Sequence, residues 1–137
     1  MKKHRYEDLY IGQKATDTKV ITLENVLKFC ELTGDYNPVH VDRDYASKTI
    51  FKDIIAHGPY VMTIITTLFA NELPGEGSVY LYQDAKFIRP VYMNDTITAI
   101  LEITSLIPEK RIVVLNTTCV NQNGEDVIIG TAKIKLL

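Results

Sequence analysis

The stretch "HGPYVMTIITTLFANEL", His57 to Leu73, decides the fold. Pro59 stands where a helix begins, because the first turn loses nothing when an N–H is missing. Val61, Met62, Ile64, Ile65, Leu68 and Phe69 then recur at helical spacing and leave little polar face. Such a helix has to be enclosed, and Pro74-Gly75 in "LPGEG" closes it. The chain beyond residue 77 is of another kind. "SVYLYQDAKFI", "DTITAILEITSL", "RIVVLNTTCVNQ" and "EDVIIGTAKIKL" are rich in β-branched and aromatic residues, and turn signals separate them. Asn123-Gly124 is a strong hairpin turn. A sheet of four or more strands needs its apolar face covered, and the enclosed helix is the cover at hand. The expected class is α+β, an antiparallel sheet packed on one long helix.

On the N-terminal side, "TLENVLKFCELT" (residues 22–33) reads as an amphipathic helix. Thr22 is its N-cap, and Leu23, Val26, Leu27 and Cys30 form its apolar stripe. Gly34 supplies a residue tolerant of positive φ just past the end, and Pro38 bars continuation. Asp42 can cap a further short turn through "RDYASKT".

Composition narrows the function. The 137 residues are 46% hydrophobic and 23% charged, with a net charge of −2, which is an ordinary globular balance without the basic face of a nucleic-acid binder. No repeat or linker divides the chain, so residues 1–137 are expected to form one domain. No apolar run approaches the length of a membrane span, and no apolar segment follows the N-terminal lysines. A cytoplasmic, soluble protein is expected. Cys30 and Cys119 are too few and too far apart for a disulfide framework and read as buried small hydrophobes.

Chemistry concentrates in "GDYNPVH", Gly34 to His40. On a helix, residues five apart do not face each other. On a turn stiffened by Asn37-Pro38, the Asp35 carboxylate and the His40 imidazole can converge on one water as an acid/base pair, with Asn37 orienting it. The plain alternative is a turn in which Asp and Asn bond their own backbone. A metal site from His40, Asp42 and His57 has no standard ligand spacing. Gly58, at the mouth of the enclosed helix, offers an N–H at the positive end of the helix dipole, suited to an oxygen that gains charge.

"GDYNPVH" followed by Ala46, then "FKDIIAHG", "LPGEGSVYLYQDAKFIRPV" and "NDTIT", resembles the MaoC-like, or (R)-specific enoyl-CoA hydratase (hydratase-2), family from about residue 10 onward. The resemblance implies a hot-dog fold: an antiparallel sheet wrapped around a long central helix, dimerised edge to edge. It implies reversible addition of water to the 2,3 double bond of a trans-2-enoyl-CoA, giving an (R)-3-hydroxyacyl-CoA. Neither metal nor organic cofactor is implied, because the thioester acidifies the α carbon. Asp35 and His40 match the family's catalytic pair, Asn37 the accompanying polar residue, and Gly58 the backbone donor to the thioester oxygen. Thr66 falls at a position for a small supporting hydroxyl. Met62 and Phe69 are candidates for the acyl pocket, and Arg89, Lys86 or Lys110 for the CoA phosphates. His57 is expected to be structural, bonding a backbone group beside the loop. Other readings are a 3-hydroxyacyl-[acyl-carrier-protein] dehydratase, a thioesterase, and a non-catalytic hot-dog subunit of a larger complex, which would lack the Asp or the His.

Overall fold

A computed structural model describes residues 1–137. Strand β1 (Lys14–Val20) precedes helix α1 (Leu23–Thr33), two short helices α2 (Pro38–Val41) and α3 (Arg43–Ser47), and the long helix α4 (Gly58–Asn71). Strands β2 (Ser78–Gln83), β3 (Lys86–Phe87), β4 (Thr96–Ile107), β5 (Ile112–Val120) and β6 (Asp126–Leu136) complete the chain. All pairings are antiparallel, in the order β1-β4-β5-β6-β2, and β3 also pairs with β6.

The sheet wraps α4. Alternation along β4 turns Ile97, Ala99, Leu101 and Ile103 inward, and β5 adds Val113, Leu115 and Cys119. These residues and Val61, Ile64, Ile65, Leu68 and Phe69 of α4 belong to one core cluster. This is the hot-dog arrangement. Because Ile65 is fully buried, Ile65→Ala is expected to lower the unfolding free energy by about 2–5 kcal/mol. Urea denaturation measures it, and a loss below about 1 kcal/mol, the scale of a surface change, contradicts this packing.

Several local expectations hold. Thr22 accepts the Asn25 N–H at 3.2 Å, and Asp42 caps α3 by accepting the Tyr45 N–H at 3.0 Å. Gly34 ends α1 at φ 79°, where any side chain would be strained.

Three do not. Strand β1, "KATDTKV", was not expected; it is a sheet edge whose residues are mostly exposed, so it carries no apolar signal. "SVYLYQDAKFI" is two strands rather than one, because Asp84 breaks the ladder: its N–H donates to the Thr131 carbonyl, and its carboxylate accepts the Thr131 N–H at 2.8 Å. On α1 only Val26 and Cys30 are buried, while Leu23 and Leu27 stay exposed, since the helix touches the core along a narrow line.

Candidate active site

The site is built where the end of α1, helix α2 and the mouth of α4 meet. Past Gly34 the chain folds back on its own polar groups. The Thr33 hydroxyl accepts the Asp35 N–H at 3.2 Å, and Asp35 Oδ1 accepts the Asn37 N–H at 3.1 Å. The Asn37 carbonyl accepts the His40 N–H at 2.9 Å. Asn37 thus links the two residues through its backbone, and its side chain makes no hydrogen bond at the cap of α2. One carboxylate oxygen of Asp35 therefore builds an ordinary Asx turn and leaves Oδ2 available. The turn reading and the acid/base reading describe the same residue.

His40 is 9% exposed, and its Nδ1 lies 2.7 Å from the Ile55 carbonyl. A carbonyl can only accept, so Nδ1 carries the proton and the neutral ring has its lone pair on Nε2. The Ile55 N–H returns to the Val39 carbonyl at 3.1 Å, so α2 is tied to residues 54–56 at two points. A single guanidinium nitrogen of Arg43, Nη1, reaches both carboxylate oxygens of Asp53, at 2.8 and 2.9 Å, and ties the ends of the intervening excursion together.

One donor or acceptor atom from each of Asp35, His40 and His57 lies within 4.8 Å of the others. A water about 2.8 Å from each of two such atoms spans that gap at an angle of up to about 118°, near the angle water prefers. Three such atoms could also hold a cation. The hydrogen bonding argues against it: His57 Nε2 carries the proton it donates to the Asp35 carbonyl, so that nitrogen offers a cation no lone pair.

His57 is 2% exposed. Its Nε2–H donates to the Asp35 carbonyl at 3.1 Å, the backbone bond expected of it. Burial holds its pKa below the ordinary value of 6.5; the bond to the Asp35 backbone opposes this and His40 adds to it. In the unfolded chain the ring takes up a proton near that ordinary value; in the folded protein it does so only at lower pH. The unfolded state then binds more protons, so stability present above 6.5 falls as pH drops through that value. Urea midpoints at pH 5.5 and 7.5 should differ in that direction, and less so for His57→Phe; an equal difference in both proteins contradicts the buried neutral ring.

Gly58 opens α4, and its N–H has no acceptor within the helix. It lines a pocket of about 340 Å³ together with His40, Phe51, Ile55, Val61 and Phe87, a volume within the ~300–1,000 Å³ range of small-molecule sites. The ring of Phe87 roofs this glycine so closely that a Cβ would come within 2.6 Å of it. Asp35 is not part of the pocket wall and its side chain stays 52% exposed.

The remaining candidates lie elsewhere. Phe69 is 2% exposed and packs edge-on against Tyr80, and Met62 packs against the core. Neither lines the His40 pocket, because the sheet consumes the apolar face of α4 and only its first turn (Gly58, Pro59, Val61) reaches the pocket. Thr66 lies about 12 Å along the axis from Gly58 by helix rise, and its hydroxyl donates to the Thr63 carbonyl at 2.8 Å. Arg89 does line the pocket, with its guanidinium on the Asp126 carbonyl at 2.7 Å and Glu125 at 3.4 Å. Lys86 lines a separate open concavity with Asp84 and Thr131, and Lys110 sits in the turn Pro108–Lys110. Burial pushes the Cys119 thiol up to about 12 and also raises Cys30, so neither is a nucleophile at neutral pH.

A family model described as "MaoC like domain" matches residues 10–124. The chain belongs to this family. It is 41% identical over 131 residues to the (R)-specific enoyl-CoA hydratase of Rhodospirillum rubrum, covering 96% of this chain and 90% of that one. Among solved structures, the (R)-hydratase from A. caviae involved in PHA biosynthesis superposes with a TM-score of 0.92 at 37% identity, covering 96% and 99% of the two chains. The R-hydratase PhaJ1 from Pseudomonas aeruginosa, unliganded, gives 0.90 at 40% identity, covering 96% and 84%. For a MaoC-like chain, the residues that sequence reasoning missed are the ring stack of His57, the Ile55 carbonyl and the Phe87 roof. No spacing rule joins positions 40, 55, 57 and 87; the runs "GDYNPVH" and "AHG" marked the two histidines but not their stacking.

Proposed function

We propose that the protein is an (R)-specific enoyl-CoA hydratase, a hydro-lyase that adds water reversibly to the 2,3 double bond of a trans-2-enoyl-CoA. The observation that carries this is the Asp35 carboxylate and the His40 imidazole within one water's span, with Gly58 in the same pocket as His40. Asp35 Oδ2 and His40 Nε2 hold the water between them. As its oxygen attacks C3, His40 Nε2 takes one of its protons, and the C2–C3 π electrons move toward the thioester carbonyl. The Gly58 N–H stabilises the charge gathering on that oxygen, an interaction worth about 2.7–4 kcal/mol when such a donor is well placed. The imidazolium then returns a proton to C2 on the face from which the water came. Both protons and the oxygen of one water are accounted for.

The proton on His40 Nδ1 supports giving it the base role. Asp35, which faces solvent, orients the water and offsets the imidazolium charge. The reaction as proposed uses no cofactor, since the thioester supplies the acidity at C2.

The working unit is a homodimer joined at the β2 edge. β2 has β6 as its only neighbour in the sheet, and Val79, Tyr80, Leu81 and Tyr82 are 39–50% exposed along it, an edge that an uncovered protein would be expected to protect. Sedimentation at micromolar concentration should give twice the chain mass.

The deciding assay mixes purified protein with crotonyl-CoA and follows loss of the enoyl-thioester absorbance. Hydration that survives a chelator in the buffer is the expected result. No loss with short or long enoyl chains, while a carrier-protein substrate reacts, would replace this reading with the carrier-protein dehydratase.

A further inference from the structure

We propose that His57 is a positioning residue of the hydration reaction: one neutral imidazole that fixes Asp35 through its N–H and His40 through its ring face. This rests on the roles proposed for Asp35 and His40 in the hydration. Two independent contacts carry it. The Nε2–H is the only donor to the Asp35 backbone carbonyl, at 3.1 Å, and Asp35 Oδ2 is 3.9 Å from the same nitrogen. The ring face lies on His40 at 3.8 Å and 28°, and Phe29 packs against His57 at 4.8 Å. His40 is thereby held at one edge by the Ile55 carbonyl and on one face by His57. Without the second restraint its ring could swing about the first, and Nε2 would leave the water.

A space-filling role explains this residue poorly. His57 Nδ1 is buried without a hydrogen-bond partner. Phe or Leu would fill the same volume without stranding a nitrogen, so the ring is tolerated for what its other nitrogen does. Cys30, Asp35 and His40 are the titratable groups facing it, with the Cys30 thiol 3.6 Å from Nε2. Neutrality matters as well: a charged His57 would repel the imidazolium that His40 becomes during each turnover.

Two variants separate the contacts. His57→Phe keeps a ring face and loses the donor; His57→Gln keeps a donor and loses the face. Because misplacement by about 1 Å can cost as much as ~10²-fold, kcat for crotonyl-CoA should fall at least about fivefold in His57→Phe. KM should stay within about threefold, and His57→Gln, which frees the His40 ring, should lose kcat by at least the same factor. A smaller loss, or one carried by KM, overturns the inference. Imidazole nitrogen NMR on the wild-type protein tests it without any variant. At pH 7 it should show His57 neutral with its proton on Nε2 and His40 with a proton fixed on Nδ1. A proton on His57 Nδ1, or a His40 ring exchanging between tautomers, overturns it. A wild-type protein inactive on every enoyl-CoA would overturn the hydratase reading instead, and the NMR spectrum would still judge this geometry.

Discussion

His40→Ala is expected to hydrate crotonyl-CoA at least ~10²-fold more slowly than wild type, the lower end of what a positioned acid–base group contributes. The loss should fall on kcat, because the methyl group leaves the pocket open for the acyl thioester while removing the acceptor for the water's proton. The same change leaves the Ile55 carbonyl without the Nδ1–H it accepts at 2.7 Å, which costs roughly 1–3 kcal/mol if nothing replaces it. Turnover is therefore compared per mole of folded protein, with the thermal midpoint recorded beside it. A folded His40→Ala protein within threefold of wild type would remove His40 from the chemistry.

The second large effect is that of Asp35→Asn. This substitution keeps an oxygen that can accept the Asn37 N–H, the 3.1 Å bond that shapes the turn, so backbone geometry survives. What disappears is the charge. Without it the water is no longer drawn toward the attacking orientation, and the imidazolium on His40 loses its counter-charge. A loss of at least ~10²-fold in kcat is again expected. The two losses should not multiply. Groups acting on one water fail together, so the double variant should be little slower than the worse single one. Multiplicative losses would mean that the two side chains serve separate steps.

The parts of the fold legible in the sequence are those set by local rules. The α4 stripe, the Thr22 and Asp42 caps, the Gly34 stop and the Asn123-Gly124 turn each depend on neighbours in the chain. β1 was illegible for a physical reason: an edge strand with little buried surface has no need of apolar alternation. The break at Asp84 depends on Thr131, 47 residues away, which no local pattern reports. In the site, "GDYNPVH" exposes its chemistry because the Asx turn and the Asp–His spacing lie within seven residues. The stack of His57 on His40 and the Phe87 roof over Gly58 are made by tertiary packing. Met62 and Phe69 do not line the His40 pocket; helical spacing shows that a face is apolar, not whether a sheet or a ligand covers it.

In the proposed hydration one water, held between Asp35 and His40, supplies both the hydroxyl at C3 and the proton at C2 from one face of the double bond. Hydrating crotonyl-CoA in deuterated water and reading both new stereocentres by NMR tests this most directly. The expected product is (R)-3-hydroxybutyryl-CoA with deuterium at C2 added syn to the hydroxyl. An (S) product, or anti or mixed placement of deuterium, would contradict it.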